Sequence, residues 1–204
     1  METLRNILQD INDDYFKYND SSDIEHFINI GKLDREVIKD NWLGYPPASE
    51  KAIKIREEYL GVSLPNSYKQ FLSISNGFRD VSLFLNNLYP VEKIEWARLV
   101  EDEWWFDLLE QKEAHIADFN FLTDGKKQDS FDLGDYHLRS SLKISDWYDG
   151  MCVFLNPEIR FGNEWEVLVY ATWNTETERH ESFQNFLIDT HKKNEDELKN
   201  KNCS

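Results

Sequence analysis

The chain has 204 residues, 40% of them hydrophobic and 14% aromatic, with a formal net charge of −16. That length fits one domain burying roughly 70% of the surface of its unfolded chain, which needs no metal or disulfide to fold, and the aromatic content excludes wholesale disorder. The acidity excludes nucleic acid and anionic membrane surfaces as partners, since phosphate binding needs clustered Lys and Arg, and it favours a basic protein partner.

In chain order, Leu4, Ile7, Leu8, Ile11 and Tyr15 recur at helical spacing and predict an amphipathic helix over residues 3–18. Ser22 with Glu25 forms a capping-box pattern ahead of Ile24, Phe27 and Ile28, with Gly31 placed to end that second helix. Both are expected to form an N-terminal extension. Residues 40–47 carry two prolines and a glycine, which predicts a loop. Ser49 and Gly61 bracket a helix whose buried face should hold Ala52, Ile55, Tyr59 and Leu60. Leu64-Pro65 opens another, with Tyr68, Phe71, Leu72 and Ser75 on one side and Asn76-Gly77 as its stop.

Residues 81–85 read as a strand, 92–113 as a helix and 123–135 as a polar surface loop. Residues 151–155 and 164–172 are β-rich, with turn chemistry at Asn156-Pro157 and Gly162-Asn163, and predict an antiparallel hairpin. Ser182 is placed to cap a last helix bearing Phe183, Phe186 and Leu187, and the charged residues from Lys192 onward are expected to fray. Helices first and strands later, without βαβ alternation, predict an α+β domain.

Two stretches carry a specific pattern. The first runs from Trp42-Leu43-Gly44-Tyr45-Pro46-Pro47-Ala48-Ser49-Glu50 through Tyr59-Leu60-Gly61-Val62-Ser63-Leu64-Pro65-Asn66-Ser67-Tyr68 and Phe71-Leu72 to Ser75-Asn76-Gly77-Phe78. The second is Ile144-Ser145-Asp146, Phe154-Leu155-Asn156-Pro157, Glu164-Trp165-Glu166, Trp173 and Ser182-Phe183, with Leu88 to Trp96 as the link between the two. Together they resemble the SUKH superfamily, the Smi/Knr-like proteins, over about residues 40–192. The resemblance implies an α+β fold with a mixed, mainly antiparallel sheet flanked by helices. It divides the chain into a helical extension at 1–39, the SUKH-like domain at 40–192 and a charged tail at 193–204. It also implies the role of bacterial members, immunity proteins that block a toxin, or of eukaryotic relatives that regulate cell-wall synthesis. Two departures stand out: 174–180 lacks an expected Pro-Gly turn, and the loop at 123–140 is long. The signature itself reads mainly as structure, with Gly44 and Gly77 at turns, Pro47 and Pro65 at helix starts, and Trp42, Trp165 and Trp173 as packing residues.

Catalytic patterns are sparse. Cys152 sits in the apolar run 151–155, where a thiol is inert, and Cys203 lies in the polar tail. His26, His115, His137, His180 and His191 are scattered, lack metal-ligand spacing and are expected at the surface. No phosphate-binding or nucleophile-elbow motif occurs. Glu164 and Glu166 share a strand face with Cα atoms roughly 7 Å apart, the only basis for a hydrolase reading. The N-terminus opens no apolar segment and no stretch approaches the ~20 apolar residues of a membrane helix, so a cytoplasmic protein is expected.

Charge placement carries the strongest functional signal. Between Glu101 and Asp135 lie eleven acids against three bases, a local net of −8 and half the total, interleaved with aromatics. Acids steer a basic partner and aromatics supply contact area. The expected partner-binding residues are Glu101, Asp102, Glu103, Trp105, Asp107, Glu110, Asp118, Asp124, Asp129 and Asp132. No catalytic, metal or cofactor residue is expected. The expected partner is a cognate protein toxin, basic and nuclease-type, with a protein-binding regulatory module as the alternative.

Overall fold

The computed structural model describes residues 3–82, 85, 87–102, 106, 135–173 and 177–201. Helix α1 (Leu4–Tyr18) starts on the Thr3 side chain, and Leu4, Ile7, Leu8 and Ile11 form its buried stripe. Helix α2 (Ser21–Asn29) does have a capping box, two residues earlier than expected. Asp20 accepts from the Ser22 and Asp23 amides at 2.7 and 3.1 Å, and Asp23 reaches back to the Asp20 amide at 3.1 Å. A carboxylate adds a favourable charge at the helix N-terminus, which a serine hydroxyl lacks. Gly31, at φ +76°, ends the helix as the Lys32 amide closes onto the Phe27 carbonyl.

Short helix α3 (Glu36–Asp40) precedes the loop at 41–47. Helix α4 (Glu50–Leu60) has its expected Ser49 cap and Gly61 stop, but its face is turned. Ile53 and Leu60 are buried, whereas Ile55 and Tyr59 are 55% and 63% exposed. The inward stripe runs 53–56–60, and Arg56 at its centre donates to the Ile94 carbonyl at 2.7 Å. An arginine in a core-facing stripe hides that stripe from hydrophobic periodicity. Helix α5 (Asn66–Ile74) buries Tyr68, Phe71 and Leu72 as predicted.

Between α5 and the sheet two expectations fail. Val81, Ser82 and Leu85 lie in no strand, and Ser82 and Leu85 exchange hydrogen bonds instead, while residues 83 and 84 of the expected strand lie outside the described residues. The expected long helix from 92 is a 3-10 turn (Val91–Lys93), strand β1 (Glu95–Trp96) and helix α6 (Ala97–Val100). Short alternating and helical patterns are indistinguishable over so few residues, and pairing with a distant strand decides. Residues 103–105 and 107–134, which include the rest of that helix and nearly all of the predicted polar loop, lie outside the described residues.

Helix α7 (Asp135–Arg139) leads into β2 (Leu142–Lys143), β3 (Met151–Phe161), β4 (Glu164–Ala171) and β5 (Glu178–His180). Among the described residues the strands follow the order β1-β2-β3-β4-β5, and every pairing is antiparallel; the parallel pairing of a mixed sheet does not occur there. The predicted hairpin is β3–β4, turning at Gly162 (φ +64°). Asn156-Pro157 makes a bulge inside β3 instead of a turn, with the register shifting between Asn156 and Arg160. Proline lacks a ladder donor, so a bulge accommodates it.

Strands β3 and β4 are buried on both faces. Val153, Leu155, Val167 and Val169 join the main core with α1, α5 and the last helix, while Cys152, Phe154, Leu168 and Tyr170 join a second cluster with Ala97, Phe106 and Leu138. The last helix, α8 (Phe183–Lys201), is capped by Ser182 and continues through the stretch expected to fray. It packs against α1 and α5, so the N-terminal helix is part of the main core. None of the described helices is long and apolar enough to cross a membrane.

Candidate protein-binding surface

Of the ten expected contact residues, Glu101 and Asp102 are described; Glu103, Trp105, Asp107, Glu110, Asp118, Asp124, Asp129 and Asp132 lie outside the described residues. Glu101 follows α6 and turns inward. Its side chain is 11% exposed, forms an ion pair with Lys143 of β2, and accepts from the Trp147 indole N–H at 3.0 Å. The carboxylate therefore anchors the start of the acidic segment to the sheet. Asp102, the next residue, is exposed. Phe106 is fully buried in the second core cluster beneath the Arg139 guanidinium, 4.3 Å from its ring. Glu101 and Phe106 are thus both held against the sheet, Phe106 in the second cluster together with Leu138 of α7.

Sequence reasoning missed the neighbours of this root. Leu99 and Val100 are 63% and 50% exposed, Tyr59 is also exposed, and Arg98 stacks 4.6 Å from the Trp96 ring. The Trp96 indole N–H donates to the Leu60 carbonyl at 3.3 Å, joining the end of α4 to this edge. Tyrosine, tryptophan and arginine are the residue types that dominate binding hot spots. Exposed apolar positions cannot be told from core ones by type, so no local signal marks them.

The signature stretch 42–78 folds into a single polar knot. The Ser75 hydroxyl accepts from the Tyr45 amide at 2.9 Å and donates to the Gly77 carbonyl at 2.5 Å. The Asn76 side chain accepts from the Val91 amide at 2.7 Å, the role that makes asparagine useful before this glycine. Single bridges run from Gly44 to Phe78, Phe78 to Leu88 and Leu88 to Ser145, extending the pairing toward the sheet. Arg79, unremarked in the sequence, is buried, donates to the Leu43 and Gly44 carbonyls at 3.0 Å, pairs with Asp34 and stacks 3.5 Å from the Tyr45 ring.

The profile of the SMI1 / KNR4 family (SUKH-1) matches residues 47–189, well over half of the chain. The chain belongs to this family. No curated protein matches it. In this SUKH-1 chain the match begins at Pro47 beside the knot and ends at Asp189 in α8, so α1, α2 and the second half of α8 lie outside it.

The groups that sequence reasoning weighed for chemistry are held structurally in the SUKH-1 domain. Cys152 is fully buried, and burial pushes its thiol up to about 12, which leaves no thiolate near neutral pH. Glu164 accepts from the Ser67 amide at 3.0 Å and from its hydroxyl at 2.5 Å, closing the N-terminus of α5. Glu166 is fully buried and accepts from Arg179 Nε at 2.5 Å and Asn156 Nδ2 at 3.0 Å. The two glutamates therefore serve different neighbours. His180, expected at the surface, is buried. Its Nδ1 lies 3.2 Å from Asp189 Oδ2, and burial lowers its pKa despite that carboxylate.

Proposed function

We propose that this SUKH-1 protein is a non-catalytic immunity protein that acts in the cytoplasm, binding a cognate basic, nuclease-type toxin domain and blocking it by steric and electrostatic occlusion. Family membership supports an immunity or Smi1/Knr4-type regulatory role. The observation that carries the finer reading is the segment of net −8 between Glu101 and Asp135, tied down at Glu101 and Phe106 beside exposed Leu99 and Val100. A nuclease site must be basic to hold phosphates, and a run of acids interleaved with aromatics complements it in charge and in contact chemistry. Asp102, Glu103, Trp105, Asp107, Glu110, Asp118, Asp124, Asp129 and Asp132 are the proposed contact residues, with Glu101 as their anchor.

The test is co-purification and growth rescue with the toxin encoded by the adjacent gene. Complex formation and rescue are expected, and Asp→Asn changes at 118, 124, 129 and 132 together should weaken both. Absence of binding and of rescue overturns the immunity reading. Capture of a host cell-wall regulator in its place would select the regulatory role.

A further inference from the structure

His191 and Glu195 stand four residues apart on α8, and Asp14 meets them from α1. His191 Nε2 lies 3.1 Å from Asp14 Oδ2, and one ligand atom from each of the three residues lies within 4.8 Å of the others. All three side chains are half-buried. We propose that Asp14, His191 and Glu195 form a zinc site that clips the N-terminal helix to the C-terminal one.

The donor set suits that ion. One imidazole nitrogen and two carboxylates, with a fourth position left to water, are the ligands of a three-protein-donor tetrahedral zinc site. Magnesium or calcium would demand more oxygen ligands. With Zn–N and Zn–O bonds of about 2.0–2.2 Å, neighbouring ligand atoms of a tetrahedron lie about 3.3 Å apart. The His191–Asp14 separation is already close to that value, and a Glu195 carboxylate oxygen lies within 4.8 Å of both. Four-residue spacing puts two ligands on one helix face, the same geometry that H-E-x-x-H exploits. Glu195 is otherwise engaged by Lys199 at 3.8 Å, an exposed contact of small worth. Asp14 also lines a cleft of about 310 Å³ with Ile11, Tyr15, Tyr18, Asn194 and Leu198, which gives an ion a route in. All three ligands lie outside the family match, so the clip belongs to the helices this chain adds to the SUKH-1 core.

The experiment uses the full chain stripped with a chelator, titrated with zinc chloride by calorimetry and followed by thermal melting, with magnesium as a control. The wild type should bind one zinc per chain and gain about 5–10 °C in Tm at a hundredfold excess over Kd. Magnesium should do neither. His191→Ala should abolish the gain, and Glu195→Gln should weaken zinc binding at least tenfold. Because loss of His191 also removes its contact with Asp14, Glu195→Gln decides the matter if His191→Ala folds poorly. Absence of zinc binding overturns the proposal, as does zinc binding of equal strength in the wild type and in Glu195→Gln. A Tm gain that survives in both variants overturns it too.

Discussion

Gly77 shows how one position can be dictated twice. Its φ is +95°, and a Cβ there would stand 2.8 Å from the Leu88 carbonyl oxygen. Gly77→Ala should therefore destabilise the protein by about 2–3 kcal/mol, read as a lower urea midpoint at unchanged slope. The requirement for glycine was legible from the Asn76-Gly77 stop, but the close approach of residue 88 was not. His180 is buried for a related reason: histidine is intermediate in burial by residue type, and its burial against Phe186 depends on α8 folding back over β5. Burial favours its neutral form, so the unfolded chain takes up a proton below about pH 6.5 that the folded protein resists. Stability is consequently lost as pH falls through that value. His180→Phe should make the drop in urea midpoint between pH 7 and pH 5 shallower; an unchanged drop would assign the acid sensitivity elsewhere, with His137, whose pKa burial also lowers, the next candidate.

Helix α1 is the element whose role the sequence could not settle. Its amphipathic pattern was plain, yet a stripe of leucines and isoleucines looks the same whether it covers a core or a second molecule. Packing against α5 and α8 makes it core. Leu8 is fully buried, so Leu8→Ala should cost about 2–5 kcal/mol in chemical denaturation, a loss that a peripheral helix would not show. Helix α8 shows the converse. Residues 192–201 looked like a solvated tail because nearly every side chain there is polar, but Lys199 pairs with Glu195 and Asp196 along one helix and Asn194 donates to the Val81 carbonyl at 3.0 Å. These exposed helical pairs are individually weak, and the long-range bond from Asn194 ties the helix to the core within a stretch whose composition reads as frayed.

At the scale of the molecule, the charge of −16 is a property of composition and predicts kinetics more than affinity. With a basic partner, the association rate should fall at least about tenfold as ionic strength rises from roughly 0.05 to 0.5 M, while dissociation changes little. Stopped-flow mixing measures this, and a rate indifferent to salt would leave shape complementarity as the basis of recognition. The sequence alone determined the caps at Ser49 and Ser182, the stops at Gly31, Gly61 and Gly77, the β3–β4 hairpin, the α+β class and the family, because each depends on residues close together in the chain. Only the tertiary structure decided that α4 faces inward through Arg56, that β1 is a strand, that Glu101 is an anchor, and that Asp14 meets His191. Those outcomes depend on partners tens of residues away or more, and a local pattern carries no information about which distant group will satisfy a buried polar atom.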